Sequence, residues 1–166
     1  MTKEKVCCFT GHRQIPKEDY VRLTILLDKL INTFLHTGYN TFRVGGALGF
    51  DMLVEEILLR KRHEEGRELR LELVLPCRDQ AARWKPQDRR RYNAILKEAD
   101  KVEYISEAYY DGCMQKRNRV MVDGSAICVS YCTNRRSGTY GTVRYAESQG
   151  LRRIELTPLL ETISLT

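Results

Sequence analysis

Residues 41–51 read Thr41-Phe42-Arg43-Val44-Gly45-Gly46-Ala47-Leu48-Gly49-Phe50-Asp51. This stretch is a short β-prone run followed by a turn with three glycines. The spacing of Met52, Leu53 and Ile57 then predicts a helix directly after the turn. A strand, a tight turn and a helix in this order are the repeating unit of a parallel sheet.

The same alternation of strand and helix continues along the chain. Strands are predicted at residues 5–9, 41–44, 69–75, 101–105, 125–131 and 152–156, with 5–9 as a central strand. Helices are predicted from Pro16 to a stop at Gly38, from Met52 onward, over 86–98, over about 112–123 and over 143–149. Because right-handed crossovers cover both faces of a parallel sheet, we expect an α/β fold. The prediction is one Rossmann-like domain over residues 1–166, a three-layer α/β/α sandwich with a mainly parallel central sheet.

Length and composition fit a soluble globular domain. The 166 residues are 42% hydrophobic and 30% charged, a balance that excludes a largely disordered chain. No apolar run approaches the roughly 20 residues that a membrane span needs, and the N-terminus lacks the pattern of a signal peptide. We therefore expect a cytoplasmic protein with no membrane partner.

Six cysteines raise the question of disulfides or zinc. Most lie in or beside apolar runs, and no secretion signal accompanies them. Neither Cys7-Cys8 nor the pair Cys128 and Cys132 comes with a second pair at a zinc-binding spacing. The sequence therefore predicts buried free thiols and no metal site.

The net charge of +6 has one concentrated source, the segment from Arg83 to Arg91. Such a cluster is typical of nucleic-acid-binding surfaces, but a solvated helix face gives the same pattern. Acidic residues are interleaved through the rest of the chain, which favours the helix face. Nucleic-acid binding stays open as the alternative.

Three unusual loops follow strands whose carboxyl ends meet at one edge of the predicted sheet. They are Thr10-Gly11-His12-Arg13, residues 45–51 and residues 137–142. Open parallel sheets bind ligands at this edge, where the strand order reverses. Glycines let backbone N–H groups approach an anion, and helix N-termini add partial positive charge. The loops predict a crevice for a phosphate-bearing ligand, although the same glycines also suit tight turns that bind nothing.

The candidate ligand-binding residues come from these loops and from two segments near them. Arg117 and Asn118 lie on a helix that either reaches the crevice or exposes a polar face to solvent. Trp84 either stacks on a base or fills a hydrophobic gap. The full set is Thr10, Gly11, His12, Arg13, Gly45, Gly46, Ala47, Gly49, Asp51, Trp84, Arg117, Asn118, Ser137, Gly138, Thr139, Gly141 and Thr142.

Asp51 is the candidate catalytic residue, because it is the best carboxylate in these loops. It stands where the glycine turn enters its helix, so it can accept from ribose hydroxyls or cap the helix. Neither glycine turn matches the Walker lysine pattern or the full G-x-G-x-x-G fingerprint. An ordinary ATPase or dehydrogenase is therefore disfavoured, and the sequence requires no cofactor.

Five motifs occur in order between residues 5 and 155. They are Thr10-Gly11-His12-Arg13, Gly45-Gly46-Ala47-x-Gly49-x-Asp51, Pro76…Gln80…Trp84, Met114-Gln115-x-Arg117-Asn118…Val122-Asp123 and Gly138-Thr139-x-x-Thr142-x-x-Tyr145-Ala146. Together they resemble the YpsA-like group of the SLOG superfamily, which is related to the DNA-processing protein Smf and the lonely-guy phosphoribohydrolases. The resemblance implies a Rossmann-like fold with a nucleotide-type pocket, ligands such as relatives of ADP-ribose, and a homodimer.

One position departs from the lonely-guy pattern. Those enzymes carry Pro-Gly-Gly-x-Gly-Thr-x-x-Glu with a catalytic final glutamate, whereas Tyr145 ends the corresponding stretch here, which begins at Ser137. A tyrosine cannot readily supply a carboxylate's stabilisation of an oxocarbenium-like centre. Glu147 would point to a different helix face. Base-releasing hydrolysis by that mechanism is therefore not expected.

The sequence favours a binding or sensor module for a nucleotide or an NAD- or ADP-ribose-like phosphate ligand. The alternative is a hydrolase of an N-glycosidic or phosphate-linked nucleotide, in which Asp51 is the carboxylate and Arg13 or Arg117 holds the phosphate. A third hypothesis is a nucleic-acid-binding protein that contacts phosphates through residues 83–91.

Overall fold

The computed structural model describes residues 3–165, in which a six-stranded sheet carries five α-helices. The strands are β1 Val6–Gly11, β2 Thr41–Val44, β3 Arg70–Cys77, β4 Lys101–Ser106, β5 Ile127–Tyr131 and β6 Arg152–Glu155. The helices are α1 Lys17–His36, α2 Phe50–Glu64, α3 Pro86–Glu98, α4 Cys113–Asp123 and α5 Gly138–Ser148. Short 3₁₀ turns cover Lys3–Lys5 and Thr157–Thr162.

All neighbouring strands of the sheet are parallel, in the order β4-β3-β2-β1-β5-β6. The chain runs outward from β1 to β4, returns to the other side of β1 as β5, and continues to β6. The strand order therefore reverses between β1 and β5, the point at which open α/β sheets bind ligands. This topology confirms the predicted α/β Rossmann-like fold.

The helices form two layers, one on each face of the sheet. Helices α1, α2 and α3 contact one another in chain order, and α4 pairs with α5. Successive side chains of a strand point to opposite faces. Phe9 therefore joins the buried cluster that contains Leu27 of α1, whereas Cys8 joins the cluster that contains Met121 of α4.

Two strands, β1 and β3, extend two residues beyond their predicted ends. β1 continues to Gly11 because it pairs with β5 as far as Tyr131. β3 passes through Pro76, where the sequence predicts its end, and stops at Cys77. Because β2 ends opposite Leu73, Pro76 has no neighbouring strand on that side to which an N–H would donate.

The cysteines are free thiols, of which five are buried and Cys132 is partly exposed. The prediction of buried free thiols is thus confirmed for five of the six. Within residues 3–165, no helix combines the length and apolar character that crossing a bilayer requires.

Candidate functional site

A crevice opens at the carboxyl ends of β1, β2 and β5, where the strand order reverses. It encloses about 290 Å³ between the loop after β1, the first turn of α2, one face of α4 and the first turn of α5. Its lining residues are Thr10, Gly11, His12, Arg13, Ala47, Asp51, Met114, Arg117, Asn118, Met121, Ser137, Gly138 and Thr139. The fold therefore brings residues from all three of the unusual loops to one place.

The glycines between β2 and α2 are explained by packing inside the protein. Gly46 and Gly49 have φ angles of 69° and 77°, a left-handed region that residues with a side chain rarely adopt. A methyl group at Gly46 would overlap Leu75, and one at Gly49 would overlap the backbone carbonyl of Arg13. Neither glycine lines the crevice. This glycine turn is thus required by the fold itself.

The two glycines in the first turn of α5, Gly138 and Gly141, are not explained by packing inside the protein. Gly138 and Gly141 do not have positive φ angles, and a methyl group on either would meet no described protein atom within 4 Å. At the position of Gly141, inside the helix, a glycine makes a helix less stable than an alanine does, by roughly 0.5–1 kcal/mol. The bare backbone at these two positions therefore leaves room for something outside the chain.

Residues 137–142 form the cap and first turn of α5, whereas the sequence pattern predicts that this helix begins at 143. Glycine and threonine are weak helix formers, which favours a turn, but Ser137 caps the helix. Its Oγ accepts a hydrogen bond from the Tyr140 N–H at 3.2 Å. The first N–H groups of a helix have no helical partner and carry partial positive charge. The Thr142 hydroxyl, considered as a ligand donor, instead donates to the Gly138 carbonyl at 3.1 Å.

Two arginines bring positive charge to the crevice. Arg117 is only 6% exposed; its guanidinium donates to the Gly45 carbonyl and, through Nε, to Asn118 Oδ1 at 2.7 Å. Burial lowers the pKa of Arg117. Arg13 is exposed, and the Nη2 atoms of both arginines lie 3.6 Å from the sulfur of Met114. The buried Arg117 and the exposed Arg13 therefore lie beside the same side chain, that of Met114.

Asp51 is a buried carboxylate in the crevice wall. Its Oδ2 accepts from the Ala47 N–H at 3.2 Å, and its Oδ1 has no hydrogen-bond partner among residues 3–165. Burial raises the pKa of Asp51 to about 6, against the opposing effect of Arg117. The N-cap position of α2 is Gly49, so Asp51 does not serve as its N-cap. One carboxylate oxygen is thus buried with no partner among the described residues, which favours the protonated carboxyl.

Glu55 is a second buried carboxylate, and it was not predicted from the sequence. It lies one helical turn after Asp51 and is 1% exposed, and within the described chain its Oε2 has no hydrogen-bond partner. Burial, and then the charge of Asp51, raise the pKa of Glu55 well above its ordinary value. The spacing of four residues was the available signal, because it places both carboxyls on one helix face.

His12 ties two of the loops together. Its Nε2 accepts a hydrogen bond from the Thr133 N–H at 2.8 Å, so the proton of the neutral ring lies on Nδ1. Its ring meets Tyr131 edge-on at 5.6 Å. Burial lowers the pKa of His12, which favours this neutral form.

Trp84 lies outside the crevice lining. Its ring packs edge-on against Tyr92 at 5.1 Å between centroids. Beside this pair, Gln80 Nε2 donates to the Gly46 carbonyl at 3.0 Å and to Tyr92 Oη at 3.4 Å. The segment from Gln80 to Tyr92 thus contacts the glycine turn between β2 and α2 and lies outside the crevice lining.

A second cavity of about 360 Å³ adjoins the crevice between α4 and α5. Both are lined by Asn118, Ser137 and Gly138. The second cavity adds Gln115, Arg119, Arg136, Gly141, Thr142 and Tyr145. Neither Arg119 nor Arg136 was predicted from the sequence, although Arg119 shares a helix face with Gln115 at the spacing of one turn.

Tyr145, which replaces the glutamate of the lonely-guy pattern, is held by side chains of α4. Its hydroxyl donates to Asp123 Oδ1 at 2.7 Å, and the Arg119 guanidinium lies 5.0 Å from its ring centroid. This hydrogen bond raises the pKa of Tyr145. The position therefore supplies a neutral, anchored ring and no carboxylate.

Several known proteins are similar to this chain in sequence. The UPF0398 protein of Bacillus pumilus is 27% identical over 128 residues, which cover 72% of this chain and 68% of that protein. A UPF0398 protein of Bacillus cereus is 24% identical over 144 residues, covering 81% and 78%. The SPbeta prophage-derived protein YoqJ of Bacillus subtilis is 28% identical over 140 residues, covering 74% and 80%.

Structural similarity and a family model place the chain among known folds and families. DNA processing protein A from Helicobacter pylori, whose structure is described in terms of single-stranded DNA binding, has a TM-score of 0.65 at 18% identity. The match covers 93% of this chain but only 65% of that one, and it shows a shared fold. The model described as the YspA SLOG family matches residues 7–152, and the chain therefore belongs to that family.

Proposed function

We propose that this protein binds a nucleotide or an NAD- or ADP-ribose-like ligand, with a phosphate at the N-terminus of α5. One observation carries the proposal: Gly138 lines the crevice without a side chain, although the surrounding protein leaves room for one. A phosphate that contacts backbone N–H groups needs this close approach. The glycine turn after β2, which packing explains, does not carry the proposal.

The charges around Gly138 favour an anion. The helix N-terminus contributes partial positive charge, and Arg13 and Arg117 line the same crevice. Asp51 lies in the same wall, where a carboxylate can accept from the hydroxyls of a ribose. In the proposed complex, the phosphate therefore contacts the positively charged groups and the sugar hydroxyls contact Asp51.

The proposal is tested by thermal-shift measurements with AMP, ADP, ATP, NAD and ADP-ribose. A ligand that binds the native state raises its stability by mass action, by about 2.7 kcal/mol at a hundredfold excess over Kd. Gly138→Asp places a carboxylate where the phosphate is proposed to lie, so it abolishes the ligand-induced shift. Gln87→Glu is the control, because it adds one negative charge to the exposed first turn of α3. Equal shifts in both variants would contradict the proposed site.

Asp51 supports hydrolysis of a nucleotide as a second candidate function. Asp51 lines the crevice and has a pKa of about 6, which suits general acid–base catalysis near neutral pH. Chromatography after incubation with each nucleotide detects the products. Turnover that Asp51→Asn removes would establish this activity, and binding without products would leave the binding function.

Binding of single-stranded nucleic acid is favoured by exposed arginines around the same helix. Arg119, Arg135 and Arg136 lie beside the start of α5, and DNA processing protein A is described as binding single-stranded DNA. In the earlier candidate segment, residues 83–91, Arg91 is paired with Glu56 at 2.5 Å. An oligonucleotide titration tests this alternative, because phosphate-driven binding weakens steeply as salt rises.

The homodimer and the cytoplasmic location stay predictions of the sequence and its family resemblance. Sedimentation measures the first, and fractionation of cells measures the second.

A further inference from the structure

The cavity between α4 and α5 has the character of a second phosphate subsite. We infer that the ligand carries two adjacent phosphates, as a nucleoside diphosphate or a diphosphate-linked derivative does, and that the second phosphate lies in this cavity. The inference rests on the proposed function, because it takes the first phosphate to lie at Gly138.

Gly141 supplies the first argument. It lies in α5, where its N–H donates to the Ser137 carbonyl at 3.3 Å. This N–H is used within the helix, so the glycine is not explained by an N–H left for a ligand. A methyl group there would meet no described protein atom within 4 Å, yet glycine weakens a helix relative to alanine. The bare α-carbon faces the second cavity, where it lets a ligand lie against the helix.

Two cations supply the second argument. Arg119 and Arg136 line the cavity, and in the part of the chain that the structure describes neither forms an ion pair with a carboxylate. Arg119 is held in place over the ring of Tyr145. Among residues 3–165 no carboxylate lines this cavity, and the nearby carboxylate of Asp123 accepts the hydrogen bond of the Tyr145 hydroxyl. Unpaired arginines are well suited to recognise a phosphate.

The two cavities together fit one ligand. They share Ser137, Gly138 and Asn118, and Gly141 lies about 4.5 Å further along the helix axis at 1.5 Å per residue. In the first cavity, a second phosphate would approach the carboxylate of Asp51. In the second, the described lining residues are all uncharged or positively charged. Charge therefore directs the second phosphate away from Asp51 and towards Arg119.

The experiment measures AMP and ADP affinity by titration calorimetry. We expect the unaltered protein to bind ADP at least about tenfold more tightly than AMP, which corresponds to about 1.4 kcal/mol. Arg119→Ala lowers the ratio of ADP to AMP affinity towards one. Arg89→Ala removes the same charge from the exposed face of α3 and leaves the ratio unchanged.

Gly141→Ala separates a ligand contact from a structural role. The alanine fills open space within a helix, so it raises the melting temperature while it lowers the ratio of ADP to AMP affinity. A purely structural glycine would move the melting temperature and leave the ratio alone, which would overturn the inference. Equal affinity for AMP and ADP in the unaltered protein would overturn it too. Failure of both nucleotides to bind would instead overturn the proposed function, and this inference with it.

Discussion

At the scale of single residues, the structure separates glycines that look alike in the sequence. Gly46 and Gly49 serve the turn, since their φ angles are positive and their neighbours exclude a side chain. Gly138 and Gly141 have room for one. Sequence reasoning treats both groups as phosphate-binding candidates, because spacing shows that a glycine is present but not which atoms surround it.

Asp51 gives a prediction about pH. Its pKa is raised from 3.8 to about 6 by burial, opposed by Arg117, Arg13 and the Ala47 N–H. The folded state therefore binds the proton more tightly than the unfolded state, so the free energy of unfolding falls as pH rises from about 4 to about 6. A shift of this size corresponds to about 3 kcal/mol at most, at 1.36 kcal/mol per unit.

Asp51→Asn is expected to remove this part of the pH dependence, measured by urea unfolding at pH 4 and pH 7. The remaining dependence then comes from other groups, Glu55 among them. An identical change in both proteins would show that Asp51 does not carry the effect.

At the scale of elements, the start of α5 decides how the site is built. The alternation of strands and helices was predictable because apolar periodicity and glycine positions signal it directly. The first turn of α5 was not, because weak helix formers occupy it and its cap is recognised only from the Ser137–Tyr140 hydrogen bond.

Ser137→Ala is expected to destabilise the protein by about 1 kcal/mol through loss of this cap. For a domain of this size that lowers the melting temperature by roughly 2–4 °C. Ser148→Ala, at the other end of α5 where the hydroxyl donates to the Tyr145 carbonyl, is the matched control. A similar loss in both variants would contradict the capping role.

At the scale of the whole molecule, the parallel sheet explains why distant segments share one site. The strand order reverses between β1 and β5, so the loops after β1, β2 and β5 converge. Sequence patterns were sufficient to predict that these loops converge. They could not predict that Trp84 packs against Tyr92 outside the crevice, or that Glu55 is buried. Both features follow from side-chain packing between segments far apart in the chain.

An NMR titration of the labelled protein with ADP observes every backbone amide at once, and it tests directly whether a phosphate binds at the start of α5. A phosphate at the start of α5 predicts the largest chemical-shift changes at the amides of Gly138 and Thr139, with smaller changes near Arg13 and Arg119. Changes centred on residues 45–49 or 83–91, or no change at any amide, would contradict it.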